Sequence, residues 1–433
     1  MSTRIEAVDL LIKYEQSSTS MKTLLRELQT ISIDSPDSLT RIQSLVLSVL
    51  RFRNTIDFVL SRSLMKEKLH NLSPYDRNLL RAAVYEAKWL QGDITRIHSL
   101  YPSLKSNFER EFNRAIAFSL DAAIEEMPLI NRLSLKHSHP TFLVKTLLDN
   151  LSLEESVQLM TVNNQNRVYY VRPNRLYDEA ESVFDSLKNV KLVRDREVPD
   201  IFRIVEGVDS VVSSQAFKDG HAIIQDKASI ITVNTLDPKP GQKIWDACAA
   251  PGMKTQLIAE KTMKQGQIIA TDVYPDRVRI GKELSINLNA SHIEWIHADA
   301  TEPLVHDADK ILIDAPCTST GILQSYPSFK WRLNKDTLFA LMTIQNKILD
   351  AILSAYVDRP GTEIVFSTCS ILPHEGESQI DSIMQRHDIE LLQPIDYGDP
   401  GYSGFKCSSF VRRLFPHKHA CSGFFIARFK IKQ

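Results

Sequence analysis

Two cysteines in the second half of the chain stand where side chains do chemistry. Cys317 lies in D-A-P-C-T-S-T-G and Cys369 in F-S-T-C-S-I. Each closely follows a short apolar run, Lys310–Ile313 or Ile364–Ser367, that reads as a strand. A lone cysteine beside an apolar strand is more often an inert small hydrophobe. Two at strand ends, flanked by Pro316 and by the polar stretches Thr318–Thr320 and Thr368–Ser370, read as reactive thiols. Their wide separation fits no close metal-binding pair. A thiolate is a nucleophile, and its natural target is an electron-poor ring carbon.

A second motif supplies the partner for that thiolate. D-A-C-A-A-P-G-M-K-T, from Asp246 to Thr255, follows the strand candidate Ile244–Asp246. Ala247, Ala249 and Ala250, then Pro251 and Gly252, describe a tight turn onto a helix beginning near Lys254, with backbone amides open to a ligand. With one glycine it is not a dinucleotide fingerprint, and alone it reads as an ordinary strand-to-helix turn. The acids remove that ambiguity. Asp246, Asp272, Asp299 and Asp314 end four successive strand candidates, at the edge where open α/β sheets bind ligands. Asp272 is placed to accept from both hydroxyls of a ribose, and Asp299 to read an adenine amino group. An adenosine site without a phosphate-cradling glycine loop fits S-adenosylmethionine best. A thiolate beside a methyl donor implies covalent activation of a pyrimidine. Carbon-5 of cytosine is a poor nucleophile until a thiolate adds to carbon-6. Asp314 is the candidate for holding the N3 edge of the base while charge develops.

The elements that must carry these residues alternate. Gln267–Thr271, Ile293–His297, Lys310–Ile313, Ile364–Ser367 and Phe424–Phe429 are strand candidates, most of them separated by helical patterns, which predicts a doubly wound, Rossmann-like α/β core over 212–433. Residues 131–211 read as a small α+β domain, with helices at Thr141–Asn150 and Leu153–Thr161 and a strand at Val168–Val171. Residues 1–130 read as all-α. Leu10, Leu11 and Tyr14 start an apolar stripe, and Ser73-Pro74 is a cap before the run Tyr75–Leu90. Arg51, Arg53, Arg77 and Arg81 form either a basic patch or part of a plain solvated bundle surface.

The chain has 433 residues, with 52 Lys and Arg against 53 Asp and Glu and a net charge of −1, which excludes a purely electrostatic nucleic-acid binder but not a local basic groove. No apolar run reads as a membrane span, and no start resembles a signal peptide. The five cysteines are odd in number and absent before Cys248, which predicts free thiols in a reducing cytoplasm.

D-A-C-A-A-P-G-M-K-T, D-A-P-C-T-S-T-G and F-S-T-C-S-I-L-P-H-E-G-E, in that order, resemble the RNA 5-methylcytosine methyltransferases of the Sun/RsmB family. L-S-P-Y-D-R-N-L-L-R-A-A-V-Y-E, Leu72 to Glu86, is similar to that family's NusB-type helical domain, and H-P-T-F-L-V with V-R-P-N-R to its small RNA-recognition-like domain. The resemblance implies that Cys369 is the nucleophile and that Cys317 serves product release. It implies a cofactor site at Cys248, Ala249, Ala250, Pro251, Gly252, Met253 and Lys254, with Asp272, Arg277, Asp299 and Asp314 as further contacts. Met253 replaces a usual glycine and Ser422 a usual aspartate. The expected activity is S-adenosylmethionine-dependent methylation of carbon-5 of a cytosine in RNA, by a cytoplasmic monomer that needs no metal and no membrane. The NusB-like domain points to ribosomal RNA. Transfer RNA, uracil as the base, and a non-catalytic RNA-binding protein are the alternatives.

Overall fold

The computed structural model describes residues 3–30, 36–65, 67–178, 180–393 and 395–432. The chain divides into two compact units, Met1–Asn166 with Leu323–Leu333, and Arg167–Ile322 with Asn334–Gln433.

The first unit is helical. The helices Thr3–Gln16, Pro36–Arg51, Arg53–Ser63 and Pro74–Lys88 bring Leu10, Leu11, Val46, Val49, Ile56, Leu80 and Val84 into one core. Ser73 caps the last of them by accepting from the Asp76 N–H, with Pro74 in the first turn. Thr141–Asn150 and Leu153–Asn163 follow, the second opened by a Ser152/Glu155 capping box.

The four arginines do not form a free basic patch. Arg81 meets Glu15 at 2.5 Å and Asp57 at 2.6 Å, Arg77 meets Glu15 at 2.9 Å, and Arg53 lies within 3.7 Å of both acids. Arg51 is buried and donates to the Gln324 carbonyl. Arg53, Arg77 and Arg81 form a charge network in which Glu15 is far away in sequence from all three, while Asp57 is one turn from Arg53 and 24 residues from Arg81. The segment Leu323–Leu333, from the catalytic half of the sequence, belongs to this helical unit. The Trp331 indole donates to the Leu50 carbonyl at 2.6 Å. The Lys330 amine is 1% exposed and donates to the carbonyls of Arg51 and Ser138 and to Asn164 Oδ1.

The second unit holds two sheets. The small one is antiparallel throughout: β1 (Tyr169–Pro173), β2 (Lys191–Arg194), β3 (Phe202–Glu206) and β4 (Ala222–Ile224), in the order β2-β3-β1-β4. The large one begins with β5 (Lys243–Asp246), β6 (Gln267–Asp272), β7 (Glu294–His297), β8 (Lys310–Asp314) and β9 (Glu363–Thr368). These five run parallel in the order β9-β8-β5-β6-β7. Four strands complete the sheet antiparallel at the β9 side: β10 (Ile389–Leu391), β11 (Asp399–Pro400), β12 (Val411–Leu414) and β13 (Phe424–Ile431). The chain builds outward from β5 to β7, then returns to β8 on the other side of β5. That reversal opens a crevice at the carboxyl ends of β5 and β8.

The helix Lys335–Ala355 is long and apolar enough to cross a membrane by length and composition, contrary to the expectation from sequence. Its Ile348, Leu349, Ile352 and Leu353 are instead buried in the core against the large sheet.

Burial pushes the Glu15 carboxyl up, but Arg77, Arg81 and Asn78 outweigh it and hold it at about 2. A carboxyl depressed in the folded state stabilises the fold above its unfolded value near 4.5, and that contribution is lost as pH falls toward 2. Glu15→Gln should therefore cost on the order of 1–3 kcal/mol at pH 7, after allowance for solvent screening. It should also flatten the loss of stability between pH 5 and pH 2 in urea unfolding. A variant whose pH dependence matches the parent chain contradicts this reading of the network.

Candidate active site

Register places the two thiols. β8 and β9 are parallel neighbours with Asp314 opposite Ser367. Cys317 comes three residues after the first of these and Cys369 two after the second, and the Sγ atoms lie 3.3 Å apart. The loops are stitched by the Ala315 N–H on the Ser367 carbonyl and the Gly321 N–H on the Cys369 carbonyl, both at 2.9 Å. Gly321 has no room for a side chain, since a Cβ would lie 1.9 Å from the Gly423 carbonyl oxygen. Both thiols are free and half-buried, so a ligand can reach them.

Across the crevice, the Lys254 ammonium meets Asp314 Oδ2 at 2.7 Å. Asp314 Oδ1 accepts from the Ser367 hydroxyl at 2.8 Å. Burial pulls the Lys254 amine down, but Asp314 outweighs it and keeps the amine charged. The thiols separate electrostatically. The hydrogen bond from Cys317 lowers Cys369 against the opposing effects of burial and Asp314, and Ser319 and Lys254 assist. The same bond, then burial, the charge on Cys369 and Glu375 push Cys317 up. The bond between the two sulfurs thus favours ionisation at Cys369 and keeps the proton on Cys317.

The loop Asp246–Thr255 turns from β5 into the helix Met253–Lys261. Gly252 opens that helix with φ +108°, and a Cβ there would meet the Trp295 indole at 2.9 Å, so glycine serves both backbone and packing. Asp246 is 1% exposed. Its Oδ2 accepts from Thr255, its Oδ1 has no partner, and burial pushes its carboxyl up to about 7. Asp272 is 3% exposed and accepts from the backbone N–H groups of Ala250 and Tyr274. Arg277 pairs with Asp272 at 3.3 Å and donates to the Ala250 carbonyl. The two backbone bonds leave Asp272 acceptor capacity for ribose hydroxyls. An orphaned buried acid, an acid with spare acceptor sites and an open helix start suit S-adenosylmethionine.

Most residues predicted from sequence converge here. Asp299 does not end its strand: β7 ends at His297, and Asp299 is exposed in the turn that follows, accepting from the Thr301 N–H. Met253 is half-buried, and its carbonyl accepts from Gln225. Ser422 is bonded at 2.7 Å to Asp226, which itself caps the helix Lys227–Leu236. Sequence reading assigned Lys254 to the cofactor loop and missed its bond to Asp314. It also missed Gln345, Glu375, Glu377 and Arg413. Arg413, fully buried with Glu377, donates to the carbonyls of Ser370 and Leu372 and so braces the turn after Cys369. The quoted H-E-G-E stretch contains both acids, but nothing in it shows what they bind.

Residues 233–430 match the family model described as 16S rRNA methyltransferase RsmB/F, and residues 1–96 match the NusB family. The chain is 29% identical to the ribosomal RNA small subunit methyltransferase B of Photorhabdus laumondii, covering 94% of each. It is 26% identical to the human 28S rRNA (cytosine(4447)-C(5))-methyltransferase, over 69% of this chain and 38% of that one. The crystal structure of PH0851 superposes with a TM-score of 0.79 at 26% identity, covering 100% of this chain and 99% of that one.

Asp272 holds the loop at the Ala250 N–H and is the candidate contact for the ribose hydroxyls. Asp272→Ala should weaken S-adenosylmethionine binding at least tenfold, because a charged hydrogen bond contributes about 1.5–3 kcal/mol. Calorimetry on the full chain checks this, and unchanged affinity removes Asp272 from the ligand site.

Proposed function

The chain belongs to the RsmB/F family of 16S rRNA methyltransferases, and on that basis we propose that it methylates carbon-5 of a cytosine in small-subunit ribosomal RNA through a covalent bond to Cys369. The observation that carries the mechanism is the thiol pair, 3.3 Å apart at the sheet edge beside the Lys254–Asp314 pair. S-adenosylmethionine supplies the electrophilic methyl group when bound.

The target base must leave its stack to reach a half-buried thiol, which favours a loop or single strand. Cys369 forms a bond to carbon-6, and the ring electrons move toward carbon-5. Asp314, held by Lys254 and Ser367, presents an oriented carboxylate to the N3 edge of the base. Once Cys369 is bound to carbon, its negative charge is gone, and with it the main force that raised the Cys317 thiol. Cys317 then gives its proton to solvent and takes the proton from carbon-5. Breaking the bond from Cys369 to carbon-6 restores the aromatic product and the thiolate.

The remaining assignments rest on the same reading. The helical region 1–130, with its NusB match, holds RNA, and the strands β1–β3 of 131–211, whose sheet is completed by β4 from the start of the catalytic region 212–433, add a second RNA-facing element. Both thiols, Lys254 and Asp314 come from one chain, which supports function as a monomer. Five free cysteines support a reducing, cytoplasmic setting.

The two thiols are distinguished by a denaturing gel with RNA and S-adenosylmethionine. Cys369→Ala should abolish both methyl transfer and any protein–RNA adduct. Cys317→Ala should attack, methylate and then stall, so a denaturant-resistant adduct accumulates. An adduct from the Cys369 variant and none from the Cys317 variant reverses the assignment.

A further inference from the structure

Glu375 is fully buried, outside the cofactor loop, six residues after Cys369 and far from Cys317 in sequence. Its side chain and its backbone reach the two cysteine loops separately. Oε1 accepts from the Thr318 N–H at 2.8 Å and from Gln345 Nε2 at 3.2 Å, and Oε2 accepts from the Thr318 hydroxyl. Gln345 also donates to the Pro316 carbonyl at 2.8 Å. Glu375 and Gln345 therefore grip the residues on both sides of Cys317. The Glu375 backbone carbonyl accepts from the Thr368 hydroxyl at 3.0 Å, immediately before Cys369. Thr320 closes the frame, pairing with the Ser370 hydroxyl at 3.0 Å and accepting from the Ile371 N–H.

This acid is unlike the other buried acid nearby. Glu377 is matched by Arg413 in a fully buried ion pair. Both Glu375 oxygens accept hydrogen bonds, and these come from neutral donors: one amide side chain, one hydroxyl and one backbone N–H. The charged and titratable groups facing the thiol pair are then divided. Lys254, from the helix after the cofactor loop, and Asp314, from the end of β8, act on Cys369, and Glu375 acts on Cys317.

We propose that Glu375 is a positioning residue that assigns the thiols their roles. It clamps the Cys317 loop against the Cys369 loop, and it holds a negative charge beside Cys317 that keeps the proton there, leaving Cys369 to attack. The proposal rests on the methyl-transfer reading, but its test needs neither RNA nor turnover.

The test is alkylation of the full chain by iodoacetamide between pH 6.5 and 10, with each cysteine followed by peptide mass spectrometry. In the parent chain Cys369 should react at lower pH than Cys317. Glu375→Gln keeps the shape and removes the charge. The Cys317 profile should then move down by about one pH unit, a tenfold faster reaction at fixed pH below its midpoint. Glu375→Asp, which keeps the charge, should restore most of the parent profile. S-adenosylmethionine affinity serves as the folding control. A Glu375→Gln chain that binds the methyl donor normally, with an unshifted Cys317 profile, overturns the proposal, as does a parent chain in which Cys317 reacts first. If Glu375→Gln does not fold, Thr318→Val decides: it removes a donor and leaves the charge, so the Cys317 profile should hold or rise, and a fall contradicts the proposal. A negative RNA-adduct gel beside the expected alkylation profiles is a failure of the methyl-transfer reading alone.

Discussion

The parallel pairing of β8 with β9, in one register, is the constraint on which the site depends. Opposing Asp314 to Ser367 sets the thiols 3.3 Å apart and lets Ser367 orient the acid that faces the base. A slip of one residue turns every side chain of a strand to the other face, so Cys369 would leave the crevice. Close packing on both faces opposes such a slip, with Ile311, Ile313, Ile364 and Phe366 buried in one core and Leu312 and Val365 in another. The return of the chain to β8 after β7 then places this edge opposite the cofactor loop. One topological reversal thus brings thiol pair, acid and methyl-donor loop to a common crevice.

Around that crevice the protein buries charge where apolar packing would cost less. Arg413 and Glu377 are both fully buried, and Asp246 keeps an unpaired oxygen. Desolvating such groups is expensive, and a buried ion pair adds little net stability over a hydrophobic substitute. What these groups supply is direction. The guanidinium of Arg413 fixes two carbonyls in the turn after Cys369, which apolar contacts fix only loosely. In the helical unit, Glu15 and Asp57 collect Arg53, Arg77 and Arg81 in the same way, tying helices together rather than facing a ligand.

Local signals made much of this legible in the sequence. The strands ending at Asp246, Asp272 and Asp314 are short apolar runs closed by an acid, and the Ser73-Pro74 cap lies where the residues predict. What was not legible depends on distant partners. Four arginines look like a patch until Glu15 and Asp57 are seen among Arg53, Arg77 and Arg81, and Arg51 is found buried on the Gln324 carbonyl. The segment 323–333 falls inside the region 212–433 predicted as catalytic, yet Trp331 and Lys330 bond to Leu50, Arg51, Ser138 and Asn164. Asp299 was placed at a strand end because the run before it is apolar. Strand pairing stops at His297, and the acid turns outward. β10, β11 and β12 were missed because they are short and get their edge partners from β13 and from one another.

The proposed product is a methyl group on carbon-5 of a cytosine in small-subunit ribosomal RNA, placed there by way of Cys369. Bisulfite sequencing of that RNA tests it most directly, using cells that lack the chain and cells given back either the parent chain or Cys369→Ala. A cytosine should be protected from conversion only when the parent chain is restored. Identical conversion in all three, or protection restored by Cys369→Ala, contradicts it.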